Sequence, residues 1–515
     1  MALFPVLLAF LLALSITPIV LRLSLAINFV DRPDGHRKLH QSAVALGGGV
    51  AILASFLISL LVIQLVNLPG AADLARVPYF TIGLCGAATL ICLVGLMDDR
   101  FELRGRQKLA AQVLCVFVTV SAGLVIEGVE LFGYRIELGV LSIPFTVLWL
   151  LGAINALNLI DGIDGLAGTI AVILSLTIAV LAAMTGHLAD AVFACVLGGA
   201  CLGFLVFNLP PARIYLGDAG SMVIGLILGA LAIRSSLKGP ATVALAAPTA
   251  IWAILAFDIA MAIMRRKLTG RSIYHSDRSH MHHVLQKHGY SVKGVLIVMG
   301  GLCLLCSIGT LASVALTNEF LALGTAASVL AILVFTGLFG RAECALFARR
   351  LSAFVRSLGR IDTQSERRPV HVCSRFYGNR EWEILWDSII NYAERFELSG
   401  VQLNISSPSI GEEYHAVWKS PEQPPALRVW RTEIPLFLRE ICVGRLKIMG
   451  GIPEGETIAW MAELIGGLKP FETHMQLLLE EILPPRRPAL EILQETQGKN
   501  LTVSPAYDST PVMTA

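Results

Sequence analysis

The sequence predicts an all-α polytopic membrane protein of about eleven transmembrane helices, followed by a small C-terminal cytoplasmic α+β domain. Three observations carry that prediction. Of 515 residues, 55% are apolar and only 15% charged, with a mean hydropathy of +0.69; soluble domains are about 25% charged. Apolar stretches of spanning length recur through the first 340 residues, and about 20 such residues are needed to cross a hydrocarbon layer. The polar residues that interrupt them gather in five clusters, and charge near a bilayer is costly unless it lines a site.

The spans are expected at 3–26, 44–68, 79–97, 109–126, 138–154, 168–186, 189–207, 219–234, 242–264, 294–316 and 320–340. The fifth and eighth are the shortest, and losing either would invert everything downstream. No Lys or Arg precedes the first apolar stretch and Arg22 lies near its far end. Residues 3–26 therefore read as a permanent first span with its N-terminus outside, and not as a cleaved signal. Odd-numbered loops carry Arg32, Arg37 and Lys38, then Arg100, Arg104, Arg106 and Lys108, then Arg213, then Arg265, Arg266, Lys267, Arg271, Arg278, Lys287 and Lys293. Even loops carry little beyond Arg76, Arg135 and Lys238. Positive charge marks the cytoplasmic side, and all five polar clusters fall in odd loops. The protein is expected to be multi-pass in the cytoplasmic (inner) membrane.

Ten cysteines lie singly in apolar surroundings apart from Cys303 and Cys306, which have no second pair or nearby histidine. They read as small apolar filler, without a disulfide framework or zinc site. Residues 1–340 form the expected membrane domain and 341–369 a basic juxtamembrane linker, which reads first as an ordinary cytoplasmic flank, with contact to anionic lipid the sharper alternative. Residues 370–483 read as a soluble α+β domain: a helix over 380–397, strands at 401–405, 414–418, 427–430 and 441–449, and a helix over 457–482. That domain shows no catalytic constellation; regulation or binding of a protein partner is its expected role. The Pro-, Ser- and Thr-rich tail, 484–515, is expected to be disordered. Nothing in the chain points to nucleic acid.

Chemistry is expected where the clusters lie. Asp98 and Asp99 end the third span; adjacent carboxylates repel, so a divalent cation or Lys108 and Arg104 should compensate them. Asn155, Asn158 and Asp161 recur at intervals of three, near one helical face, and lead into Gly162-Ile163-Asp164-Gly165, where glycines let the backbone approach a ligand. Hard oxygen donors of this kind suit magnesium, which completes its shell with water and phosphate. Asp218 opens the eighth span, where a helix N-terminus favours an anion; it reads as an N-cap or as a metal ligand. Arg37, Lys38 and His40 precede Gly47-Gly48-Gly49. Basic side chains and exposed backbone N–H groups suit a phosphate, while glycines equally permit close helix packing. His280-Met281-His282-His283 has no cysteine partner for zinc and suits hydrogen bonding to a diphosphate or sugar. Asp258, inside the ninth span, reads equally as functional or as half of a buried ion pair.

Together these strings resemble the polyprenyl-phosphate N-acetylhexosamine-1-phosphate transferase family (glycosyltransferase family 4), over about Asp31 to His283. The resemblance implies a polytopic helical enzyme with a cytoplasmic active site. It would be a magnesium-dependent phosphoglycosyltransferase, with manganese as a substitute, moving a sugar 1-phosphate from a UDP-sugar to undecaprenyl (polyprenyl) phosphate and releasing UMP. Carried over residue by residue, Asp98 and Asp99 would handle the lipid phosphate, with Asp218 the third catalytic aspartate. Asn158 and Asp218 would lie at the metal, Asp161 would support the diphosphate, and Asn155 would help bind substrate. Asp164 would lie at the uridine end, and Lys38, Lys108, His280, His282 and His283 would hold phosphates. The His-x-His-His pattern resembles the branch using UDP-N-acetylglucosamine or a related UDP-N-acetylhexosamine. The branch that transfers the phospho-muramoyl-pentapeptide usually has three consecutive histidines. A homodimer is compatible with the resemblance. The rivals from other classes are a lipid or anion transporter, which would place polar groups at the membrane midplane, and a non-catalytic sensor.

Overall fold

The computed structural model describes residues 3–31, 43–239, 242–244, 246–268, 280–358, 370–377, 382–407, 412–420, 429–438, 441–451 and 457–480. They fall into two compact units, residues 1–350 and 351–515. The first is a helical bundle. Its helices run α1 (Leu3–Ala26), α2 (Gly48–Leu65), the short α3 (Ala71–Leu74), α4 (Pro78–Phe101), α5 (Gly105–Ser121) and α6 (Ser142–Ile160). There follow α7 (Leu166–Met184), α8 (Leu188–Asn208), α9 (Gly217–Arg234), α10 (Ala246–Leu268), the short α11 (Met281–Lys287), α12 (Val292–Ala315), α13 (Glu319–Phe335) and α14 (Arg341–Leu358), whose residues from 351 on count with the second unit.

Every expected span is a helix. Among the described residues, eight helices are long and apolar enough to cross a membrane, including both segments that looked short in the sequence, α6 and α9. The chain is a polytopic membrane protein. Helix α9 is apolar on every side because other helices surround it: each residue from Ala219 to Ile233 is buried, and α2, α4, α6, α7 and α8 pack on it. A helix that is hydrophobic all round belongs in such a centre.

Glycines set how closely these helices approach. A Cβ on Gly95 of α4 would lie 2.3 Å from Ala219 Cα, and one on Gly49 of α2 2.3 Å from Gly220 N. The backbone N–H groups of Gly48 and Gly49 donate to the carbonyls of Tyr215 and Leu216, at 3.0 and 3.1 Å. Of the two readings open for Gly47-Gly48-Gly49, packing is the one realised; these two donors are consumed within the protein.

Two features were not anticipated. Helix α4 runs past its apolar stretch to Phe101, ending on Glu102 at φ 49, so Asp98 and Asp99 sit on a helical turn and not in a loop. Strands β1 (Val30–Asp31) and β2 (Val44–Ala45) pair with each other, and β3 (Gly128–Leu131), β4 (Tyr134–Glu137), β5 (Leu237–Gly239) and β6 (Thr242–Ala244) form a second small sheet in the order β4-β3-β6-β5. The β3–β4 hairpin turns on Phe132 and Gly133, both at positive φ (53 and 78), the backbone that two-residue hairpins need.

The second unit is α+β, as expected. Strands β7 (Val370–Tyr377), β8 (Leu398–Ser407), β9 (Glu412–Lys419), β10 (Val429–Leu438) and β11 (Ile441–Gly451) make one antiparallel sheet in the order β10-β11-β8-β9-β7. Helices α15 (Trp382–Arg395), α16 (Thr457–Gly467) and α17 (Lys469–Glu480) accompany it, and Trp382, Trp386, Leu403, Ile405 and Tyr414 fill the core. Strand β7 has no counterpart in the sequence reading, because its polar His371, Ser374 and Arg375 interrupt the apolar run.

Candidate active site

Four helix ends meet at one end of the bundle. The last turn of α4 brings Asp98 and Asp99, the first turn of α5 brings Lys108, the last turn of α6 brings Asn158, and the first turn of α9 brings Asp218. Lys108 Nζ lies 2.7 Å from Asp98 Oδ2, 2.7 Å from Asp218 Oδ2 and 3.2 Å from Asn158 Oδ1. The Asn158 amide donates from Nδ2 to Asp218 Oδ1 and, at 3.0 Å, to Ser221 Oγ. Residues up to 120 positions apart thus form one network.

The adjacent aspartates divide their work because neighbouring positions on a helix point differently. Asp98 is buried; its Oδ1 accepts the Leu103 N–H at 2.8 Å while Oδ2 meets Lys108. Asp99 instead reaches the start of α9, where Oδ1 accepts from Asp218 N at 2.9 Å and Oδ2 from Ala219 N at 3.3 Å. A carboxylate there satisfies orphan donors and complements the helix dipole. Gly217, at φ 71, leaves room for it: a Cβ would lie 2.6 Å from Asp99 Oδ2.

Asn155 lies one turn deeper than Asn158. Its amide donates to Gln112 Oε1 at 3.0 Å and to the Leu151 carbonyl at 2.8 Å. Buried Gln112 also contacts Met222 Sδ, at 3.2 Å, and drew no notice in the sequence because one polar residue in an apolar helix carries no motif. Asp161 follows directly on α6. Burial, then the charges of Asp218, Asp99 and Asp164, push its carboxyl well above the usual carboxylate range. Asp164 accepts the Ala212 N–H at 3.0 Å, tying its turn to the segment before α9. Tyr215 on that segment has its phenol pushed up to about 12 by burial and by Asp164 and Asp31. Asn208 holds the same segment, donating to the Ile214 carbonyl at 2.9 Å and accepting from Gly165 N at 3.1 Å.

The histidines reach the same place. His282 of α11 is buried, and its Nε2 lies 2.6 Å from where a Cβ on Gly162 would stand; a side chain at residue 162 would exclude it. Burial and the neighbouring His283 and His280 hold His282 well below the usual imidazole pKa. The rings of His280 and His282 are nearly parallel at 6.1 Å, and those of His282 and His283 are 4.2 Å apart. Lys38, with Arg37 and His40, lies outside the described residues, as do residues 271–279.

Oxygen donors dominate this arrangement. Among the described residues, Asp98, Asp99, Asp161 and Asp218 contribute four carboxylates against the single ammonium of Lys108. No three histidine, cysteine or acidic side chains among the described residues are already grouped as metal ligands. Lys108 fills the gap between Asp98 and Asp218. Two carboxylates and an amide nevertheless fit the chemistry of magnesium, which takes few protein ligands and much water and phosphate.

Comparison with known proteins shows the family. The model of glycosyl transferase family 4 matches residues 81–236, the stretch that carries Asp98, Lys108, Asn158 and Asp218. A probable undecaprenyl-phosphate N-acetylglucosaminyl 1-phosphate transferase of Bacillus subtilis (strain 168) is 33% identical over 288 residues, which span 56% of this chain and 77% of that relative. The chain belongs to glycosyl transferase family 4. Within the family it is also similar to an undecaprenyl-phosphate alpha-N-acetylglucosaminyl 1-phosphate transferase of Thermotoga maritima, at 30% identity over 53% of this chain and 78% of the relative. A phospho-N-acetylmuramoyl-pentapeptide-transferase of Clostridium beijerinckii is 30% identical over 42% of this chain and 70% of its own length. As a glycosyl transferase family 4 member, the protein is a membrane-embedded transferase.

Proposed function

We propose that this transferase moves N-acetylhexosamine 1-phosphate, most simply N-acetylglucosamine 1-phosphate, from a UDP-sugar to undecaprenyl phosphate. UMP leaves, and the product is the first lipid-linked intermediate of a cell-surface polysaccharide. The site would face the cytoplasm of the inner membrane, since the basic residues of the sequence gather in the loops that carry it. The observation that carries the reading is the junction of Asp98, Lys108, Asn158 and Asp218 at the ends of four helices, three of them long and apolar enough to cross a membrane. There a lipid headgroup and a water-soluble nucleotide can meet. Two relatives with N-acetylglucosaminyl 1-phosphate transferase in their names support the sugar.

Both reactants are anions, so the first task of the site is to offset repulsion. Asp218, Asn158 and Asp98 would hold magnesium, with manganese as its substitute; the ion would supply charge compensation and orientation at the diphosphate. Lys108, released from its carboxylates, would hold a phosphate, with the histidines beside Gly162 on the donor. An oxygen of the lipid phosphate attacks the β-phosphorus of the donor, a new phosphoanhydride forms, the old one breaks, and UMP carries away the electron pair. Direct attack is favoured because a phosphate is already ionised at neutral pH. Both carboxylates of the aspartate pair moreover have other work: Asp98 accepts the Leu103 N–H and would hold the cation, and Asp99 caps the start of α9.

The test is to incubate purified protein with undecaprenyl phosphate and a panel of UDP-sugars, and to measure UMP and lipid-linked product. Turnover with UDP-N-acetylglucosamine or a close epimer is expected. Turnover only with UDP-muramoyl-pentapeptide would assign the protein to the other branch, and no lipid product with any donor would end the reading.

A further inference from the structure

Asp258 belongs to none of the motifs above, yet it is the group that fixes the histidine turn. It sits on α10, 1% exposed. Its Oδ2 lies 3.1 Å from His280 Nδ1, and its Oδ1 accepts the backbone N–H of Met281 at 2.8 Å. His280 is the N-cap residue of α11 and Met281 its first helical residue. One carboxylate therefore grips both a ring and the first orphan amide of the helix that carries His282 and His283. A single hydrogen bond would leave a pivot; two from one rigid group remove it. Helix α10 is itself anchored: Arg265 pairs with Glu343 of α14, and Phe257 packs edge-on against Phe339 with centroids 5.8 Å apart.

The position held in this way has a use that packing alone does not explain. His282 is 1% exposed, and neither ring nitrogen has a hydrogen-bond partner among the described residues. A buried polar group left unpaired is costly, and native proteins rarely tolerate it without function. Its Nε2 abuts Gly162, beside Asp161. Meanwhile Asp258 Oδ2 faces Nδ1 of His280; an ionised carboxylate can only accept there, which puts the ring proton on Nδ1 and makes Nε2 the acceptor nitrogen. A carboxylate behind an imidazole fixes the tautomer and the orientation of the ring.

We propose that Asp258 is a positioning residue for the sugar-nucleotide half of the site. By holding His280 and the start of α11, it presents His280 and His282 to the diphosphate of the donor. This rests on the transferase reading above. It assigns Asp258 to donor binding and not to binding of the lipid phosphate.

The test uses full-length protein in detergent with two variants, Asp258→Ala and Asp258→Asn; the asparagine keeps an acceptor for Met281 N–H and guards against misfolding. Acylation of His280 and His282 by diethylpyrocarbonate is followed by peptide mass mapping, alongside steady-state kinetics in both substrates. In Asp258→Ala, His282 should be modified faster than in the wild type. The KM for the UDP-sugar should rise about 10- to 100-fold, by analogy with the loss when the partner behind a metal-ligating histidine is removed, with the KM for undecaprenyl phosphate unchanged. Asp258→Asn should fall between. Unchanged histidine modification, or equal losses for both substrates, would overturn the proposal. If the wild type binds no UDP-sugar at all, the transferase reading falls and takes the donor assignment with it, while the modification rates still decide whether Asp258 holds the turn.

Discussion

Replacing Lys108 with methionine removes the ammonium that stands between Asp98 and Asp218 while keeping its apolar stem. Both Nζ contacts are 2.7 Å, and the three side chains are 18%, 8% and 33% exposed. Stripping a partner from a fully buried pair costs about 3–5 kcal/mol, whereas an exposed pair contributes about 0–1 kcal/mol. This site lies between those limits, so a loss of about 2 kcal/mol is expected in metal-free buffer. A loss of that size lowers Tm by roughly 4 °C or somewhat less in a unit this large. A divalent cation then offers what the ammonium offered. Magnesium should stabilise Lys108→Met more than the wild type, in which Lys108 must first be displaced. Tryptophan fluorescence during heating, with and without magnesium, measures both quantities. Turnover should stay abolished in the variant even with magnesium, because Lys108 is also needed at a phosphate. A metal-free Tm equal to that of the wild type, or identical magnesium shifts in both proteins, would refute the reasoning.

Other outcomes follow from the same geometry. Gly95→Ala would drive a methyl into the Ala219 backbone at 2.3 Å and should cost about 1–3 kcal/mol together with most of the turnover. Gly86→Ala on the same helix, with nothing within 4 Å, should leave both unchanged; comparing the two by thermal melts and UMP release is the check. Because the folded state raises the pKa of Asp161, folding is favoured while that carboxyl is protonated, and stability is lost as pH climbs above the ordinary carboxylate range. Asp161→Asn should therefore raise the metal-free Tm at pH 7.5 but not near pH 4, while impairing turnover; equal shifts at both pH values would contradict this. Under direct attack, UMP release must require undecaprenyl phosphate, and a stoichiometric burst of UMP without lipid would show a covalent intermediate instead.

Most of the membrane unit was legible in the sequence because apolar length and loop charge are local signals. Helices α6 and α9, short as apolar runs, are extended by polar turns that belong to the site. The same habit hid the end of α4: Asp98 and Asp99 continue a helix that hydropathy alone would stop at Met97. The site residues were legible as types, since Asn158, Asp161 and Asp218 sit in distinctive strings. Their partners were not. The contact of Lys108 with Asp218 spans 110 positions and that of Asp99 with the start of α9 spans 119, and no periodicity encodes such pairs. Asp99 consequently looked like a twin of Asp98, though it caps a distant helix. The glycine run looked equally suited to phosphate and to packing until Tyr215 and Leu216 were seen to take its donors. Asp258 stood out as a buried charge, but only the fold supplies its partners, His280 and Met281.

The central claim is that the junction of α4, α5, α6 and α9 is where phosphate transfer happens. Exchange of radiolabelled UMP into UDP-N-acetylglucosamine, catalysed through the lipid-linked product, tests it most directly in wild type and Asp218→Asn side by side. The wild type should exchange label and the variant should not, with both eluting as the same folded species in detergent. Full exchange by Asp218→Asn would place the chemistry elsewhere.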